Sequence, residues 1–80
     1  MNLTDAEREF LEAMRAITID EGGHEIYVGL TPEESEAYLL LARRDQSGEL
    51  EGAELERFRA MHARHEAARQ AIVEGKVPLH

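Results

Sequence analysis

The chain has no cysteine, a single lysine and few large apolar residues, and each shortage narrows what it can be. Without cysteine there is no disulfide framework, no thiolate metal ligand and no thiol nucleophile. The longest unbroken apolar run, Ala37 to Ala42, falls far short of the ~20 residues of a membrane-spanning helix. The opening residues, Met1 to Asp5, show neither the basic start nor the apolar stretch of a secretory signal, so a cytoplasmic location is expected. Only Ser35 and Ser47 supply serine hydroxyls, neither lies in a Gly-x-Ser-x-Gly elbow, and no phosphate-cradling glycine motif opens a helix. Covalent catalysis and nucleotide binding lack their usual residues, and neither an enzyme nor a cofactor is expected.

What is present suits one small domain, expected over residues 1–75, with 76–80 as a flexible tail. Of 80 residues 42% are apolar, but eleven of these are alanines, which add little area to a core. A chain this short removes only ~60% of its unfolded surface from water, and a stability of about 4–12 kcal/mol is the expected range. A second copy of the chain is the simplest reinforcement, so a homodimer is expected. Charge is uneven. Residues 1–56 carry fifteen acids against four arginines, net −11, whereas residues 57–80 carry two acids against five bases, net +3. A basic last helix lying on acidic earlier elements accounts for this asymmetry. Nucleic-acid binding, which favours lysine-rich basic surfaces, is not expected.

The order of elements reads helix, β-hairpin, helix, long helix, an α+β fold that is mainly helical. Thr4-Asp5-Ala6-Glu7 and Thr31-Pro32-Glu33-Glu34 both have the capping-box form, the second with proline at the first helical position. In the first helix, Phe10, Ala13, Met14 and Ile17 recur at spacings of three and four, which assigns that face to the core. Period-two patterning then predicts strands around Gly22-Gly23. A two-residue type I′ turn there sets Ile19 opposite Ile26 and Ile17 opposite Val28, four aliphatic side chains on one face. The hairpin's free edge is open to strand addition. The second helix, closed by Ser47-Gly48, is apolar around much of its circumference. The third spans about Gly52 to Glu74, with Leu55, Phe58, Met61, His62, His65, Ala68, Arg69 and Ile72 in one sector and Ala60, Ala63, Ala67 and Ala71 opposite.

His62, His65 and Arg69 are the polar residues that interrupt the apolar sector of the third helix. With Glu66 the two histidines are weak candidates for a metal site, but a helix supplies at most two imidazoles and zinc needs three or four protein ligands. No stoichiometric metal is expected; pairing of these groups with acids such as Glu34 or Glu36 is. Asp45, Ser47, Glu49 and Glu56 imitate a calcium loop, but Leu50 stands where the sharp turn requires glycine. The expected role is a non-enzymatic protein-interaction or regulatory module working through Tyr38, Leu39, Leu40, His62, His65 and Arg69. A ligand- or metal-binding protein using His62 and His65 is the alternative, and an acidic nucleic-acid mimic the second.

Overall fold

The computed structural model describes residues 1–78; the last two residues of the expected tail, Leu79 and His80, lie outside the described residues. Three helices and a hairpin follow in the expected order: α1 (Asp5–Ala13), β1 (Ile17–Ile19), β2 (Glu25–Tyr27), α2 (Pro32–Gln46) and α3 (Gly52–Val73). No helix among the described residues is long and apolar enough to cross a membrane. Both capping boxes form. The Thr4 and Thr31 hydroxyls accept from the amides of Glu7 and Glu34, and each glutamate accepts in return from its threonine amide.

The three helices also end alike, in a Schellman turn in which two successive amides fold back on the last carbonyls. Ala16 and Arg15 donate to Leu11 and Glu12, Glu49 and Gly48 to Arg44 and Asp45, and Lys76 and Gly75 to Ala71 and Ile72. Lys76 thus belongs to the end of α3. The last two turns put glycine at the left-handed position, but α1 puts Arg15 there, at φ 57°. A β-carbon makes that conformation costly.

The hairpin differs from the expected register by one residue. Ile17 faces Tyr27, Thr18 faces Ile26 and Ile19 faces Glu25. The loop has three residues, Glu21-Gly22-Gly23, and only Gly23 takes a positive φ, at 83°. Gly23 donates to the Asp20 carbonyl and Asp20 to the His24 carbonyl, the pattern of a type I turn closed by a left-handed glycine. The Asp20 carboxylate decides the choice by accepting from the amides of both Gly22 and His24, at 2.9 and 2.8 Å. A one-residue slip moves one strand's side chains to the opposite face. Ile19 is accordingly half exposed, beside Glu25, and Tyr27 replaces Val28 as the partner of Ile17 in the core.

That core is built by the hairpin base, α2 and α3: Ile17, Tyr27, Leu30, Tyr38, Leu39, Leu41 and Met61. Tyr38 is its centre. Its ring stacks on Phe58 at 5.2 Å between centroids and meets the Tyr27 ring edge-on at 4.8 Å. Ser35, fully buried on α2, accepts from the Tyr27 amide at 2.9 Å. Since Tyr27 sits in a pair whose amides point away from the partner strand, this bond closes part of the edge expected to be open. Gly29, at φ 85°, leads the chain from the hairpin across α3, where a β-carbon would lie 2.7 Å from that of Ala68.

Helix α1 buries no residue. Phe10, Ala13 and Met14, expected to face the core, are exposed; Leu3 and Leu11 make the apolar contacts instead. The reason is where the helix stops. Ile17 lies beyond the Schellman turn, on β1, so it no longer extends the Phe10 face, and the helix turns the Leu11 side inward. Ion pairs do much of the docking: Arg8 with Glu25 at 2.9 Å, and Arg43 of α2 with Glu7 at 2.7 Å.

Candidate functional site

Because α1 is docked mainly by its edges, it leaves an open groove of about 240 Å³ against α2 and α3. Its floor is Tyr27, Tyr38, Leu39 and His65, all buried; Phe10 and Met14, one turn apart on α1, form its exposed lip. Ion pairs flank it at two points, Glu7 with Arg43 and Glu66 with Arg69. The Arg43 guanidinium, together with the Thr4 amide, holds the Glu7 carboxyl down at about 2. The Arg69 guanidinium lowers that of Glu66. Both carboxylates are therefore charged at neutral pH, and each is offset by the guanidinium it faces.

The polar groups of the floor are sharply differentiated. His65 Nδ1 lies 2.8 Å from the Val28 carbonyl, to which it must donate. Burial lowers the pKa of this ring, the Val28 bond opposing it only in part, so the imidazole is neutral at pH 7 with Nε2 as a bare acceptor. Burial pushes the Tyr27 hydroxyl up to about 12, aided by the nearby Glu7 charge, and it remains protonated. Neither the Tyr27 hydroxyl nor His65 Nε2 has a hydrogen-bond partner among the described residues, whereas every fully buried polar side-chain atom there has one. Those two atoms therefore keep some solvent contact, and both residues line the groove.

The residues expected to form an interaction surface separate in the structure. Tyr38, Leu39 and His65 are core residues that line the groove, and Leu40 alone of the two leucines faces water, at 60% exposure. Leu39 is covered by its own chain, since α2 is sandwiched between the hairpin and α3. His62 is exposed and meets the Tyr38 hydroxyl through Nδ1 at 2.8 Å. Arg69 pairs with Glu66 and donates to the Met14 carbonyl. Glu34 takes Arg64 as its partner, not a histidine.

His62, His65 and Glu66 thus make no shared metal site: each is turned to a different partner. Among the described residues no three His, Asp or Glu side chains converge as metal ligands. In the calcium-like stretch Asp45 ends in α2 and Glu56 in α3, so the segment is not one loop. The sequence reading missed Phe10 and Met14 as lip and Tyr27 as floor. Their apolar spacing was visible, but the side of α1 that turns inward was not. Compared with models of known protein families, with curated proteins and with solved structures, the chain matches none.

Proposed function

We propose that the chain is a small non-enzymatic module that binds another protein through the lip of the groove. The observation that carries this reading is the exposure of Phe10, 63%, and Met14, 41%, on one face of α1 beside an apolar cleft. Large aromatic and methionine side chains are favoured at the centres of such interfaces. The mimic of nucleic acid is less well supported, because Glu7, Glu25, Glu34, Glu54 and Glu66 are each engaged by an arginine of the same chain. A photo-crosslinking residue placed at Phe10 should capture a defined protein from the source cell, and Met14→Asp should abolish the capture. The same products from a crosslinker at Ala63, on the exposed alanine side of α3, would reject the reading.

Self-association through the outer side of α2 is a second reading, favoured by Leu40 standing exposed where Leu39 is covered. Leu40→Glu should then shift a dimer to monomer without unfolding it. Light scattering that shows the monomer mass over a hundredfold range of concentration would reject it.

A further inference from the structure

We propose that the floor of the groove is a binding site for a small, neutral aromatic molecule that carries a hydrogen-bond donor. This site lies beneath the lip and stands whether or not the lip binds a protein. Size sets the first limit. A cavity of ~150 Å³ holds a benzene ring, and drug-sized ligands occupy ~300–1,000 Å³. A groove of about 240 Å³ therefore suits one ring or two fused rings.

The walls set the second limit. Tyr27, Tyr38 and His65 present three rings whose centroids lie 4.8 to 5.6 Å from one another, meeting edge-on or tilted. A further ring continues that packing at the usual aromatic separations. Polarity sets the third. Tyr27 and His65 are each only 4% exposed, yet the Tyr27 hydroxyl and His65 Nε2 have no partner within the described residues. Nε2 accepts only, because Nδ1 has given its hydrogen to Val28. An occupant must bring a donor for Nε2, while the Tyr27 hydroxyl adapts to either role. Charge sets the last. The Glu7–Arg43 and Glu66–Arg69 pairs neutralise one another at the mouth, so neither an anion nor a cation finds an unpaired counterpart.

The test uses β-naphthol and naphthalene, which share one ring system and differ by a single hydroxyl, titrated into the full chain and followed by NMR. Naphthol should shift the side-chain resonances of Leu11, Met14 and Leu39 and bind roughly tenfold more tightly than naphthalene, the effect of satisfying one buried polar group. The unprotonated ring nitrogen of His65 should move with naphthol and not with naphthalene. Tyr27→Phe, which keeps the ring and the fold, should reduce the preference for naphthol. Equal affinity for the two compounds, with the His65 nitrogen unmoved, would overturn the proposal by showing an apolar cleft without directing groups. Shifts produced by a tryptophan-containing peptide and not by naphthol would overturn it too, assigning the floor to a side chain of a protein partner.

Discussion

Two halves of this molecule are held by different forces. On one side the hairpin base, α2 and α3 share an aromatic core centred on Tyr38, with Ser35 and His65 tying buried backbone groups across elements. On the other, α1 buries no residue and rests on Leu3, Leu11 and a few ion pairs. Burial is worth ~25 cal/mol per Å² of apolar area, whereas ion pairs still open to solvent, as these half-buried ones are, contribute little. Stability therefore resides in the first half. The second is left free to present apolar side chains to solvent.

The contrast is tested most severely by Tyr38→Ala, which should cost about 3–5 kcal/mol, as large aromatic deletions in cores do. Against an expected total of about 4–12 kcal/mol, much of the protein should be unfolded in a urea titration. Ser35→Ala should come next, at about 1–3 kcal/mol, because it leaves the Tyr27 amide buried without an acceptor. A urea midpoint equal to that of the unaltered chain would show that the amide had found another partner.

Acid should weaken both halves, through different groups. The folded state depresses the pKa of His65, so the unfolded chain takes up a proton first as pH falls below about 6.5. Stability is then full above that pH and declines as the pH drops toward the folded value. His65→Asn should flatten this first decline. Between 4.5 and about 2 a second loss follows as Glu7 and Glu34, both depressed by arginine and threonine contacts, take up protons more readily when unfolded. Glu7→Gln should make hydrogen exchange in α1 less sensitive to acid over that range while leaving α3 unchanged.

Arg15→Gly should stabilise the chain by up to about 1 kcal/mol, relieving the left-handed strain that the other two helix ends avoid with glycine. A loss of stability would mean that the arginine side chain contributes more than its backbone costs. Smallest of all is Phe10→Ser, within ~0.5 kcal/mol, as expected of an exposed side chain outside the core. A drop of several kcal/mol would erase the distinction between the two halves.

Local signals made most of the element order legible. A capping box is complete within four residues, so Thr4 to Glu7 and Thr31 to Glu34 announced two helices correctly, and Gly75 marked the end of the third. The hairpin was legible but its register was not. A glycine pair fits two turn types, and the Asp20 carboxylate that selects between them acts through two backbone amides that patterning ignores. The groove was hidden for a different reason. Which side of α1 turns inward depends on where Ile17 goes after the helix ends, and the roles of His65 and Ser35 depend on Val28 and Tyr27, 37 and 8 residues away. Such contacts are consequences of the fold and leave no periodic trace.

The crossing of Gly29 over Ala68 bears on ancestry. At φ 85°, with a β-carbon placed only 2.7 Å from that of Ala68 and 3.1 Å from the Arg64 carbonyl, position 29 calls for glycine. Gly29 and Ala68 are 39 residues apart, and a side chain at 29 would have to displace Ala68, so descent with retention of the fold should keep this glycine although it is exposed. A glycine two residues after the second strand and two residues ahead of a Thr-Pro-Glu-Glu helix start is the mark of that crossing. A chain carrying a side chain at that position would require a different path from hairpin to helix.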